Sequence, residues 1–175
     1  MKELLIKLDA CDEAIEWAGD RTIEEIVKDC DRGDWLLWLA KKIDIELQPL
    51  TLAKGHCANT VRHLMKDERS IKAVDMAIAF GEGRATMEEL NNAAYAVAVA
   101  DAAYAAAAAA VADAAYAAAA AAAAEAAYAA AFGAAANAAA GEDARKQNQK
   151  ETAEICRKYI GQLIIDKCNE LNNLK

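Results

Sequence analysis

An all-α fold is predicted by three features: a single proline in 175 residues, two capping boxes that open apolar stretches, and a tract dominated by alanine. Proline breaks helices and alanine is the strongest helix former, because it loses no side-chain entropy on ordering. Few stretches alternate β-branched apolar and polar residues as a half-buried strand would. The expected architecture is a helical bundle with short N-terminal helices, a long alanine-rich central helix and a C-terminal amphipathic helix. One domain over 1–175 is expected, with an N-terminal helical part (1–85), an alanine-rich region (86–140) and a C-terminal helix (141–175).

The first helix is expected from about Lys2 to Trp17, with Leu5, Leu8, Ile15 and Ala18 facing inward and Gly19 ending it. Thr22-Ile23-Glu24-Glu25 has capping-box spacing: the threonine oxygen accepts from the backbone three residues on, and Glu25 reaches back. That helix closes near Cys30 to Gly33. Asp34 is then expected to cap the dense Trp35-Leu36-Leu37-Trp38-Leu39 helix, and its tryptophans to sit in the core with Trp17. Pro49 and Thr51 open a further helix to about Met65. Ser70 or Asp67 starts the next, which Gly81-Glu82-Gly83 ends.

Thr86-Met87-Glu88-Glu89 is a second capping box, and it launches the alanine tract. Alanine fills 35 of the 48 positions from Ala93 to Ala140, and Gly133 is the first breaker. A continuous helix from Met87 to Phe132 is about 69 Å long at 1.5 Å per residue. A compact chain of this size is only roughly 40 Å across. With no turn chemistry in the tract, projection into a homo-oligomer is the favoured expectation over an unseen bend. Asp101-Ala-Ala-Tyr104, Asp113-Ala-Ala-Tyr116 and Glu125-Ala-Ala-Tyr128 repeat every 12 residues, so successive tyrosines spiral around the axis. After Gly141 the last helix is expected to run to about Asn172. Its buried face is Cys156, Tyr159, Ile160, Leu163, Ile164, Cys168 and Leu171.

Charge and cysteines bound the function. A net charge of -8 repels phosphate backbones and anionic lipid, so neither DNA, RNA nor a membrane is an expected partner. The tract does not read as a membrane span, because Asp101, Asp113 and Glu125 are separated by charge-free runs of only 11 residues against the ~20 needed to cross. Five cysteines without a CxxC pair read as free, mostly buried thiols in a reducing, cytoplasmic setting.

Catalytic machinery is not visible, and the chain is expected to bind rather than catalyse. Ser70 is the only serine and stands at a helix start. Gly81-Glu82-Gly83 is a helix C-cap pattern before it is a phosphate loop. His56 and His63, seven residues apart, lie ~10.5 Å apart along a helix, too far to share a metal ion unaided. A face of His56, Asn59 and His63 can still hydrogen-bond a polar ligand. No metal and no cofactor is expected.

The acid–tyrosine repeat has two readings. Each carboxylate either faces solvent or meets a tyrosine hydroxyl, or the rings and carboxylates line a cavity between alanine walls. In the second reading Tyr95, Tyr104 and Tyr116 stack on a nucleobase and Asp101 takes ribose hydroxyls. Arg62, Arg69 or Arg84 then pairs with phosphate, beside His63. These eight residues are the candidate ligand-binding set.

Two blocks, Ala10-Cys11-Asp12-Glu13-Ala14-Ile15-Glu16-Trp17 and Arg32-Gly33-Asp34-Trp35-Leu36-Leu37-Trp38-Leu39, resemble the N-terminal signatures of Imm-5-like immunity proteins of bacteria and phages. Asp67-Glu68-Arg69, then Ile71 to Ala79, then Gly83 to Leu90 and the alanine–tyrosine tract extend the resemblance over nearly the whole chain. The resemblance implies neutralisation of a protein toxin or defence effector, and it implies no active site. Stoichiometric binding of such a partner is the leading functional expectation, and an acidic surface suits a basic toxin. The alternative is a phage-type sponge that sequesters a small nucleotide-derived immune signal in a helical pocket.

Overall fold

In a computed structural model of the chain, residues 1–65, 68–104 and 141–173 are described, and every regular element among them is helical. The order is α1 (Lys2–Lys7), α2 (Asp12–Ala18), α3 (Ile23–Asp29), α4 (Gly33–Lys42) and α5 (Leu47–Asn59). A 3₁₀ turn (Arg62–Leu64) follows, then α6 (Glu68–Gly81), α7 (Met87–Tyr104) and α8 (Gly141–Asn173).

The expected first helix is two. After α1 the chain turns at Asp9, which sits in the left-handed region at φ 61°. There the Ala10 N–H bonds the Leu5 carbonyl and the Asp9 N–H bonds that of Ile6. This is the double bond pattern of a Schellman stop, with aspartate where glycine is usual. The same pattern closes α4, where Asp44 has φ 56° and Ile45 and Asp44 donate to Ala40 and Lys41. Aspartate tolerates this conformation better than most residues, so a stop can be written without glycine.

Other boundaries shift for equally local reasons. Thr22 forms the expected capping box with Glu25. Thr86 and Glu89 make the same reciprocal pair of bonds at the start of α7. Asp34 is not the cap of α4: Arg32 is, and Asp34 lies in the first turn, where its carboxylate meets the Arg32 guanidinium. α5 opens at Leu47, not at Pro49, and ends at Asn59 instead of Met65. His56 and His63 therefore do not share a helix. Ser70 is inside α6 and caps nothing, while Asp67 lies outside the described residues. The continuation of the alanine tract beyond Tyr104, with Tyr116, Tyr128 and the later acid–tyrosine repeats, also lies outside them.

α8 is the spine. Ala153, Cys156, Ile160, Ile164 and Cys168 form a fully buried stripe along it, three or four residues apart, against α3, α4 and α5. Leu4 and Leu5 of α1, Ile23, Ile26 and Val27 of α3, Leu36 and Leu39 of α4 and Leu50 of α5 complete that core. Leu163, expected on the buried face, is 39% exposed, because it lies off this stripe. A second layer stacks α6 on α5 and α7 on α6. α5 and α6 approach closely at Gly81, where an added Cβ would stand 2.6 Å from the Leu52 Cα. α5 is thus packed by α4, α6 and α8 at once.

Candidate functional site

A cavity of about 830 Å³ opens where α2, α4, α5 and α8 converge. Roughly 300–1,000 Å³ is the usual range for pockets that hold small molecules. Ala10 to Trp17 supplies one wall through Cys11, Glu13, Ala14 and Trp17, and Arg32 to Leu39 supplies another through Arg32, Trp35 and Trp38. All three tryptophans of the chain line it. Each is half-buried, with part of its ring on the core and part left to the cavity.

The walls are held in register by aromatic and ionic contacts. Trp17 and Trp35 meet edge to face, with ring centroids 6.0 Å apart and planes at 62°. The Arg32 guanidinium stacks 4.4 Å over the Trp35 ring. It also makes a bidentate pair with Asp34 (2.7 and 2.9 Å) and reaches Glu13 on α2 at 3.5 Å. These partners raise its pKa, through the Asp34 carboxylate first, so it stays charged and occupied. Arg21 lies 4.8 Å over the outer Trp17 ring, and Lys42 lies 5.6 Å from Trp38.

Lys54 is the residue whose chemistry stands apart. It sits in the middle of α5, which α4, α6 and α8 pack, and is only 4% exposed. Its side chain lines the cavity. Among the described residues it makes no hydrogen bond and no ion pair. Burial, with a smaller contribution from the nearby Lys41 charge, pulls its pKa down to about 8. A lysine so largely buried, with no counter-charge among the described residues, is costly, and such shifts gather at functional sites.

The thiols around the cavity are inert by comparison. Burial pushes Cys30 up to about 11, and the neighbouring Cys57 thiol, 3.9 Å away, with burial pushes Cys156 well above its usual value. Cys11 is the exposed thiol of the five. Asn148, Gln149 and Thr152 of α8 complete the lining. Asn148 is already bonded to the Thr60 hydroxyl at 2.8 Å.

The residues selected from sequence do not gather here. Arg62 pairs with Asp75 across the surface, through Nη2 to Oδ2 at 2.9 Å. Arg84 pairs with Glu82 (Nε to Oε2, 2.9 Å), His63 is exposed in the 3₁₀ turn and Arg69 is exposed on α6. Tyr95 is 71% exposed on α7. Asp101 and Tyr104 belong to the last turn of α7, and Tyr116 lies outside the described residues. Of this set, Arg62, His63, Arg69, Arg84 and Tyr95 do not line the cavity. His56 instead stacks face to face on Tyr159 of α8, at 4.6 Å and 5°.

Among the described residues no group of three or more His, Cys, Asp or Glu is placed to hold a metal ion. No described helix is long and apolar enough to cross a membrane. Comparisons with family models, with curated proteins and with solved structures find no match to this chain.

Proposed function

We propose that this chain is a non-enzymatic, immunity-type protein that neutralises by stoichiometric binding, and that what it binds is a small molecule held in the tryptophan-walled cavity. One observation carries the reading. Both blocks by which the chain resembles Imm-5-like immunity proteins fold around that cavity, and opposite them stands the buried, unpaired Lys54. Aromatic walls with one free charge suit recognition.

A bacterial or phage setting, a cytoplasmic location and a homo-oligomer built through the alanine-rich tract belong to the same proposal. A nucleotide-derived immune signal is the ligand class it favours. The second reading, docking of a basic toxin or effector, is favoured by the exposed Asp9, Asp12, Glu13 and Glu16 beside the cavity mouth.

Native mass spectrometry of the purified chain, incubated with a small-molecule extract of infected bacteria, tests the proposal. The expected result is one adduct per chain that blocks modification of Cys11 and leaves the protein with unchanged mass on release. An altered product would mark an enzyme. An adduct absent from every extract, alongside one-to-one capture of a cationic toxin, would favour the second reading.

A further inference from the structure

The ligand's own chemistry can be narrowed, on the reading that the cavity is a binding site. The lining carries three cationic side chains, Arg32, Lys41 and Lys54, and three carboxylates, Asp9, Glu13 and Asp34. These balance. Arg32 is already held by Asp34, Glu13 and the Trp35 ring, and Lys41 is exposed at the rim. The inner charge left for a ligand is Lys54. We infer that the cavity takes a planar ligand with a single negative charge, its ring against Trp17, Trp35 and Trp38 and its anionic group on the Lys54 ammonium.

A planar ring replaces water against indole faces and edges, which is favourable for any aromatic ligand. A carboxylate or phosphodiester supplies the partner that Lys54 lacks among the described residues, at a wall that is mostly apolar. Among the described lining residues a second negative charge finds no other buried cation and meets Asp9, Glu13 and Asp34, so nucleoside diphosphates and triphosphates are disfavoured. Binding an anion also restores the lysine's hold on its proton, which burial has weakened.

Isothermal titration of the full chain with naphthoate, its neutral isostere naphthamide and a naphthalene dicarboxylate separates these terms. Naphthoate is expected to bind at least about tenfold more tightly than either of the others, the usual worth of a hydrogen bond to a charged group. In Lys54→Met the preference for naphthoate over naphthamide is expected to vanish while naphthamide still binds. Equal affinities in the unaltered chain, or a preference that survives in the variant, would overturn the inference while leaving the cavity a binding site. Failure of all three probes would overturn both. A wild-type measurement covers the case of a misfolded variant. At about pH 9 naphthoate binding should take up most of one proton, read as a dependence of the binding enthalpy on buffer ionisation. No uptake would equally overturn the inference. Adenosine cyclic monophosphate against benzoate-type acids then distinguishes a phosphodiester from a carboxylate.

Discussion

Gly33 lies so close to Thr152 that a Cβ on it would stand 2.6 Å from the Thr152 carbonyl carbon. This contact seats the first turn of α4 on the spine helix α8, and α4 carries Trp35 and Trp38 into the cavity wall. Alanine at this position is a better helix former by at most about 1 kcal/mol. The overlap is with backbone, which cannot swing aside, and overpacking of this kind costs about 1–3 kcal/mol. The clash wins. Gly33→Ala is expected to lower stability by about 1–2 kcal/mol, measured by urea denaturation.

Lys54→Met is expected to do the opposite. Folding moves the lysine pKa from its ordinary 10.5 to about 8. Below pH 8 both folded and unfolded chains hold the proton, and the full cost of the buried charge is present. Between about pH 8 and 10.5 the unfolded state binds the proton that the folded state has released, so stability rises with pH through that window. Methionine of similar length removes the charge and keeps the packing. The variant should be about 1–3 kcal/mol more stable at pH 7, with the gap closing as pH rises to about 10. Cys30 and Cys168, pushed up to about 11, pull the other way, because the unfolded chain loses thiol protons first. They contribute equally to both proteins, so the difference between the two denaturation curves isolates Lys54. A gap independent of pH would contradict this.

Much of this arrangement is legible in the residues, and its gaps have physical causes. The capping boxes at Thr22 and Thr86 and the stripe from Cys156 to Cys168 are local patterns, and they appear where the spacing places them. The stops at Asp9 and Asp44 are not legible in the same way, because aspartate at a helix end more often reads as a cap or a solvated charge. Lys54 gives no signal at all. A lysine on a helix is ordinarily at the surface, and only the packing of α5 by three other helices buries it. Leu52-Ala53-Lys54-Gly55 does carry one trace, since small residues allow the close approach of α6. The tryptophans, expected in the core, are instead half-buried around a cavity, which depends on α2 and α4 meeting and which no local spacing encodes.

The thiols should divide cleanly. Cys11 is exposed at the cavity edge, whereas Cys30, Cys57, Cys156 and Cys168 are buried, and burial keeps Cys30, Cys156 and Cys168 protonated at neutral pH. The thiolate is the reactive form, so both access and charge state protect these groups. An aromatic disulfide reagent is expected to modify one of the five cysteines rapidly in the native protein and the other four only after denaturation. Rapid reaction of two or more would mean that the core around α8 opens more readily than its packing implies.

The division between cavity and surface makes a last, sharper contrast. Arg62 and Arg84 are held in exposed ion pairs with Asp75 and Glu82, which solvent screens. Tyr95 projects into solvent from α7. Arg62→Ala, Arg84→Ala and Tyr95→Ala should therefore leave naphthoate affinity within about twofold of the unaltered chain, a change of under 0.5 kcal/mol. Trp35 differs in kind. Its ring is gripped by Arg32 on one side and Trp17 at its edge, so it presents a fixed surface to the cavity. Loss of one aromatic stacking partner costs roughly 1–3 kcal/mol, or about five- to more than a hundredfold in affinity. Trp35→Ala should fall in that range by isothermal titration, and Trp35→Phe should recover part of it. If instead the three surface substitutions weaken binding and Trp35→Ala does not, the ligand sits on the α6–α7 side of the molecule, and the acid–tyrosine tract becomes the place to look for it.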